Sequence, residues 1–129
     1  MEHDRRAREQ IITTYFNMWI HRDFTVLPSI FAADIYYSEC YGPEYRGMAE
    51  IRMWIEAMLR QQKVLEWNIK QFIHSEDTVV TEWFFKDRTE EGSHEFDGVS
   101  IIEFQADGTI CSVKEFSSES KHCTPYRNL

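Results

Sequence analysis

Residues 96–116 read FDGVSIIEFQADGTICSVKEF, two apolar runs separated by a polar segment. β-Branched and aromatic residues dominate both runs, which is typical of strands. Asp107 and Gly108 lie between them and tolerate the positive φ angles that a tight hairpin turn needs. The stretch therefore predicts an antiparallel hairpin with its turn at Asp107 and Gly108.

Two similar segments precede this hairpin, VLEWNIKQFI at residues 64–73 and TVVTEWFFKD at residues 78–87. Polar residues at 74–77 and polar residues with a glycine at 90–93 separate these segments and are weaker turn signals. We therefore expect four long strands, at about residues 64–73, 78–87, 94–104 and 109–118, joined by three consecutive hairpins.

The first half of the chain has helical periodicity instead. Two segments carry apolar residues at i, i+3, i+4 and i+7, the spacing of one helix face, at residues 2–21 and from Ile51 to about Gln62. A short helix is expected at residues 26–31, with Pro28 in its first turn. The sequence IYYSEC, residues 35–40, then predicts a strand. The two apolar stripes are Ile12, Tyr15, Phe16, Trp19 and Ile20, and Ile51, Trp54, Ile55, Met58 and Leu59.

The order of helix, helix, strand, helix and four strands predicts an α+β fold. We expect a strongly bent, cone-shaped antiparallel sheet, covered by about three helices and enclosing an apolar pocket. Residues 1–118 are predicted to form a single domain, which suits a chain of 129 residues. Residues 119–129 have no periodicity and are predicted to be a C-terminal tail, in which Pro125 and Tyr126 could pack locally.

Composition argues against several classes of function. The net charge of −8 disfavours nucleic acid and anionic membranes as partners, because both need clustered Lys and Arg. The charged N-terminal stretch MEHDRRAREQ has no apolar core of the signal-peptide kind, and no later segment reaches the length of a membrane span, so a cytoplasmic location is expected. Three widely spaced cysteines and five histidines without paired spacing predict no disulfide framework and no metal site.

Aromatic residues are abundant, with nine Phe, six Tyr and four Trp. Such rings form the wall of many apolar cavities, and they also fill the cores of proteins that have no cavity. Strand alternation places Ile35, Tyr37 and Glu39 on one face. A phenol at Tyr15 and a carboxylate at Glu39 would then face one pocket, where they could donate a hydrogen bond to a carbonyl and move a proton beside it.

Glu115 is a second carboxylate whose direction depends on strand register. In one register Val113, Glu115 and Ser117 face the pocket, and two nearby carboxylates can then differ in acidity, one keeping its proton while the other acts as a base. In the other register Glu115 faces solvent, and Lys114 and Phe116 are buried instead. Both registers are compatible with the sequence.

The element order, the segment YYSECYGPEYRG at residues 36–47 before a Trp-bearing helix, and the closing hairpin resemble the nuclear transport factor 2-like superfamily, in its SnoaL-like and ketosteroid isomerase-like branch. The resemblance covers nearly the whole chain. It implies that Tyr15 corresponds to the oxyanion-hole tyrosine of ketosteroid isomerases and Glu39 to their general-base aspartate. Ser100 stands where those enzymes carry a protonated aspartic acid, and Glu115 is a further acid–base candidate. The resemblance also implies that Trp54, Trp83, Phe85, Gly98, Val113 and Ser117 line the pocket. The helix stripes and strand alternation add Trp19, Tyr37 and Met58 to the predicted pocket.

This superfamily contains isomerases, cyclases, ligand binders and association modules, so three functions are open. The first is a cofactor-independent isomerase or cyclase acting on a small apolar carbonyl compound. The second is a noncatalytic binder of a hydrophobic small molecule. The third is a dimeric scaffold module, favoured if aromatic packing fills the cavity. A homodimer is compatible with all three.

Overall fold

The computed structural model describes residues 2–127, which form three helices and one six-stranded sheet. The helices are α1 (Glu2–His21), α2 (Leu27–Ile30) and α3 (Gly47–Gln61), and the strands are β1 (Phe31–Ser38), β2 (Glu44–Arg46), β3 (Gln62–Ser75), β4 (Thr78–Thr89), β5 (Gly92–Phe104) and β6 (Ile110–Ser118). The chain therefore has the predicted α+β fold, with a curled sheet that does not close into a barrel. No helix among the described residues is long and apolar enough to cross a membrane.

The four long strands form the three predicted hairpins. β3 pairs with β4, β4 with β5 and β5 with β6, each antiparallel. The strand order is β2-β1-β6-β5-β4-β3, and β1 runs parallel to β6. One parallel pair thus makes the sheet mixed where an all-antiparallel sheet was expected. Local turn signals do not reveal this pair, because it joins segments more than 70 residues apart.

The segment before α3 differs from the expectation in two ways. β1 begins at Phe31 and ends at Ser38, so that Glu39 and Cys40 belong to the following loop. That loop is tight: the Glu39 amide donates to the Pro43 carbonyl at 2.9 Å, and the Gly42 amide donates to the Glu39 carbonyl at 3.1 Å. It returns the chain into β2, a three-residue strand paired with β1 where only irregular structure was expected.

The helices cover the concave face of the sheet. Phe16 of α1 stacks on Trp67 of β3 with ring centroids 3.8 Å apart and planes 6° from parallel. Trp54 of α3 contacts Tyr37 of β1, with centroids 4.9 Å apart. In α2, Leu27 and Ile30 are buried, and the helix ends where Phe31 adopts extended geometry. The core therefore lies between the curled sheet and the helices, and aromatic rings make up much of it.

The tail after β6 lies along the surface. Tyr126 is 81% exposed and does not pack on the domain. His122 approaches Asp97 of β5 with Nε2 and Oδ2 3.6 Å apart. Asn128 and Leu129, the last residues of the predicted tail, lie outside the described residues.

Candidate functional site

A narrow cavity of about 40 Å³ lies inside the cone. It has room for roughly three water molecules. Its wall combines α1, α3, the loop after β1 and five strands. The lining residues are Trp19, Tyr37, Glu39, Cys40, Tyr41, Trp54, Gln62, Val64, Trp67, Phe85, Phe96 and Glu115. Two carboxylates therefore face one small space enclosed mainly by aromatic rings.

A chain of buried hydrogen bonds leads to Glu115. The Trp19 indole N–H donates to the Tyr15 hydroxyl at 3.0 Å, and that hydroxyl donates to the Tyr37 hydroxyl at 2.8 Å. The Tyr37 hydroxyl donates to Glu115 Oε2 at 2.5 Å. Because each phenol proton is already used within the chain, the two tyrosines orient Glu115 and leave its second oxygen for other partners.

Glu115 is held by β6 with its side chain pointing into the cone, and its cross-strand partner is Ser100. Burial raises the pKa of the Glu115 carboxyl to about 8; the Tyr37 hydrogen bond opposes that rise and the charge of Glu39 adds to it. A carboxyl group with this pKa is mostly protonated at neutral pH and can donate a hydrogen bond. The inward register of β6 is the one that forms.

Glu39 is positioned differently. It follows the last residue of β1, is half-buried, and accepts a 2.7 Å hydrogen bond from the Tyr45 hydroxyl. The Tyr45 ring stacks on Trp54 with centroids 4.9 Å apart and planes at 18°. Burial raises the pKa of Glu39, and the Tyr45 hydrogen bond lowers it. Glu115 has the larger shift, so the environments separate the acidities of the two carboxylates.

Six of the predicted site residues line the cavity: Trp19, Tyr37, Glu39, Trp54, Phe85 and Glu115. Tyr15 lies behind it, 1% exposed, and reaches Glu115 through Tyr37. The Tyr15 hydroxyl donates to Tyr37, whereas the Glu39 carboxylate accepts from Tyr45. Hydrogen bonds therefore link Tyr15 to Glu115 and not to Glu39, the residue expected to act with it.

The other predicted site residues lie outside the cavity. The Ser100 hydroxyl is fully buried and accepts a 2.9 Å hydrogen bond from the Trp83 indole. The Trp83 ring covers Gly98, its cross-strand partner. Val113 is buried in the core, and Met58 and Ser117 line open grooves outside the cone.

Several cavity residues were not predicted. Val64 and Trp67 both face the cone although they are three positions apart, because β3 has a bulge between Val64 and Glu66 that shifts the alternation. Phe96 could have been found from the register of β5, since it lies opposite Phe85. Cys40, Tyr41 and Gln62 lie in loops or at the ends of elements, where periodicity does not predict which way a side chain points.

The mouth of the cone opens between two grooves, of about 780 and 670 Å³. Tyr41 and Phe96 line both grooves and also the cavity, with ring centroids 6.0 Å apart at 85°. These two rings therefore stand between the cavity and solvent. Within residues 2–127, no group of three or more His, Cys, Asp or Glu side chains is placed to hold a metal ion.

Solved structures share this fold at low sequence identity. A protein from Catenulispora acidiphila with a ketosteroid isomerase-like fold, in complex with trimethylamine, is 19% identical with a TM-score of 0.73, over 84% of this chain and 85% of that one. A candidate polyketide cyclase from Xanthomonas campestris pv. campestris is 15% identical with a TM-score of 0.72, over 89% and 93%. A nuclear transport factor 2-like protein of unknown function from Burkholderia pseudomallei is 16% identical with a TM-score of 0.73, over 87% and 91%.

No curated protein matches the sequence. A model of the SnoaL-like domain matches residues 12–113, which contain α2, α3, β1 to β5 and the second half of α1. That stretch is more than three-quarters of the chain and includes Tyr15, Tyr37 and Glu39. The chain therefore belongs to the SnoaL-like domain family, and it shares its fold with nuclear transport factor 2-like proteins.

Proposed function

We propose that this protein is a cofactor-independent isomerase or cyclase that transfers a proton next to the carbonyl group of a small apolar compound. The observation that carries the proposal is the pair of carboxylates on one cavity, with different partners and different acidities. Glu39 is the base, and protonated Glu115 donates a hydrogen bond to the carbonyl oxygen. Neutral carboxyl donors and ionised carboxylate bases are separated in this way in other acid–base sites.

The proton transfer follows from these roles. Glu39 removes a proton from the carbon beside the carbonyl, and negative charge develops on the carbonyl oxygen. A pre-oriented donor in a dry site stabilises such charge by roughly 3 kcal/mol. The chain from Trp19 through Tyr15 to Tyr37 fixes the Glu115 carboxyl, so that little reorganisation is needed when the charge forms. Glu39 then returns the proton to the same or another carbon.

The size of the cavity limits what enters it. At about 40 Å³ it accommodates the carbonyl group and its neighbouring atoms, and a larger substrate extends past Tyr41 and Phe96 into the grooves. The candidate polyketide cyclase among the structural relatives is compatible with a carbonyl substrate.

The experiment is deuterium incorporation from D₂O into a panel of small methyl ketones, followed by NMR. We expect exchange by the wild-type protein and a 10²- to 10⁴-fold loss in Glu39→Gln, the usual contribution of a general base. Glu103→Gln, on an exposed side chain of β5, is the matched control and should behave as the wild type. Binding of a ketone without exchange in the wild type would support a noncatalytic binder instead.

The small cavity favours a second candidate, a dimeric scaffold. Aromatic rings fill most of the cone: Trp67 alone contacts the rings of Phe16, Tyr15, Trp83 and Phe85. If no compound is recovered by mass spectrometry from the natively purified protein, and none of the panel binds, the scaffold becomes the better-supported function.

A further inference from the structure

Tyr41 lies where three spaces meet. Its side chain lines the cavity inside the cone and both outer grooves, and Phe96 is the other described residue that lines all three. The cavity has a volume of about 40 Å³, whereas the grooves measure about 780 and 670 Å³. A ligand that enters the cavity from either groove therefore passes these two rings.

Phe96 is fixed in the sheet. It lies opposite Phe85 in the pairing of β4 with β5, and the two ring centroids are 5.1 Å apart. Its ring also contacts Trp83, with centroids 5.9 Å apart, and Trp83 is itself 1% exposed. Because packed interiors have few voids into which a ring could turn, Phe96 stays in place.

Tyr41 is held far less firmly. It is 59% exposed, and within residues 2–127 its ring contacts one other ring, that of Phe96, with centroids 6.0 Å apart at 85°. Its hydroxyl has no hydrogen-bond partner among the same residues. A single edge contact between two rings is a weak restraint. Tyr41 is therefore the member of the pair that can move away.

The main chain around Tyr41 does not need to move with the ring. The Glu39 amide donates to the Pro43 carbonyl at 2.9 Å, and the Gly42 amide donates to the Glu39 carbonyl at 3.1 Å. These bonds hold the loop on both sides of Tyr41. The movement open to Tyr41 is thus a rotation of its side chain, which for exposed residues takes picoseconds to nanoseconds.

We propose that the Tyr41 side chain is a gate, which closes the cavity when its ring rests on Phe96 and joins the cavity to the grooves when it swings outward. With the gate closed, the cavity holds only a few water molecules. With the gate open, a larger ligand reaches Glu39 and Glu115 while the rest of it lies in a groove. This inference goes beyond the proposed function, because such a gate serves a cavity that only binds as well as one that catalyses.

Cys40 can report on the gate. It precedes Tyr41, is half-buried, and lines the cavity, whereas the described residues that line the two grooves do not include it. Burial, together with the charge of Glu115, raises the pKa of the Cys40 thiol to about 11. The sulfur is therefore shielded from water when Tyr41 rests on Phe96, and a thiol reagent reaches it by the route that a ligand takes.

The test is the rate at which N-phenylmaleimide labels Cys40, measured by mass spectrometry of the intact protein. Cys111→Ser and Cys123→Ser leave Cys40 as the single thiol of this parent protein. A minor open form is typically populated at about 0.1–10%, so Tyr41→Ala should make labelling about 10- to 1000-fold faster. Tyr41→Phe keeps a ring on Phe96 and should label at the parent rate.

Tyr126→Ala is the matched control, because Tyr126 is also an exposed tyrosine but lies on the tail. It should leave the rate unchanged. Low concentrations of urea then separate rotation of the ring from unfolding. Rotation exposes little surface, so the parent rate should not depend on urea, whereas labelling through unfolding rises steeply with urea.

Two results overturn the gate. One is a labelling rate in Tyr41→Ala equal to that of the parent, which would show that the ring is no barrier. The other is a parent rate that rises with urea in step with unfolding, which would show that the ring does not swing out in the folded protein. Either result leaves the proposed function standing, since deuterium exchange into ketones tests that separately.

Discussion

Of the two carboxyl groups in the site, Glu115 is the one whose pKa is raised more by burial. Its pKa is about 8 in the folded protein against a usual value of 4.5. Between these values the folded state binds more protons than the unfolded state, so the free energy of unfolding decreases as the pH rises. The stability from this group is therefore complete below about pH 4.5 and is lost by about pH 8.

Glu115→Gln should remove that loss, because glutamine stays neutral over the whole range. We expect the variant to be more stable than the wild type near pH 8, with the difference shrinking toward pH 4.5. Urea denaturation at several pH values measures this, with Glu103→Gln as the exposed control. The prediction concerns the difference in the free energy of unfolding between the wild type and Glu115→Gln. If this difference does not change between about pH 4.5 and pH 8, Glu115 is not a buried, protonated acid.

Tyr37 is the residue that connects the tyrosine pair to Glu115. Tyr37→Phe removes the acceptor for the Tyr15 hydroxyl and the donor for Glu115 Oε2. A buried donor left without an acceptor costs about 1–3 kcal/mol, so the free energy of unfolding should fall by that amount. The pKa of Glu115 should rise further, since the Tyr37 hydrogen bond is the interaction that lowers it.

Urea denaturation and an NMR titration of the Glu115 carboxyl check the two effects. Tyr36→Phe is the matched control, because Tyr36 is the adjacent residue on β1 but bonds to Glu44 at the surface. If Tyr37→Phe and Tyr36→Phe lower the free energy of unfolding equally, the buried hydrogen bonds of Tyr37 stabilise the fold no more than the surface hydrogen bond of Tyr36 does.

At the scale of elements, the pairing of β4 with β5 depends on Gly98. The Trp83 ring lies over this glycine, and a Cβ there would be 2.4 Å from Trp83 Cη2 and 2.5 Å from the Phe116 carbonyl oxygen. Gly98→Ala therefore forces the ring or the strand to move. Overpacking of this kind costs typically 1–3 kcal/mol.

We expect Gly98→Ala to lower the urea midpoint and to change the near-ultraviolet circular dichroism of Trp83, whose indole also donates to Ser100. Val99→Ala tests the neighbouring position, which points to the other face of the sheet. If Gly98→Ala matches the wild type in both measurements, the close contact with Trp83 does not constrain the strand.

The elements also show what a sequence can reveal. Periodicity and turn residues identify α1, α3 and the three hairpins, because each depends on neighbours in the chain. β2 has only three residues within a segment rich in Gly and Pro, and the parallel pairing of β1 with β6 joins distant segments, so neither has a local signal. The same distinction applies to the site: alternation limited Glu115 to two registers, of which the inward one forms, whereas the partners of Tyr15 and Ser100 depend on packing between elements.

At the scale of the whole molecule, the convex face of the sheet offers a surface for a second copy. Because Glu115 points into the cone, its neighbour Phe116 points outward and is 53% exposed. Phe116 pairs across strands with Val99, which is half-buried on the same face. Exposed apolar residues on a broad sheet are suited to pairing, and a stable homodimer buries roughly 800 Å² on each subunit.

We therefore expect light scattering to give twice the chain mass of 15.5 kDa, and Phe116→Lys to give the monomer. Lysine at this position places a charge from each copy in the contact, where desolvation is costly. Met53→Lys is the control, because Met53 is 65% exposed but lies on α3, away from the sheet. A wild-type protein that stays monomeric, or a Phe116→Lys variant that stays dimeric, would exclude this face. A monomeric wild type would also remove the support for the scaffold function, because a scaffold of this kind requires two copies. It would leave the proton-transfer function unaffected, because that reaction takes place within the cavity of one copy.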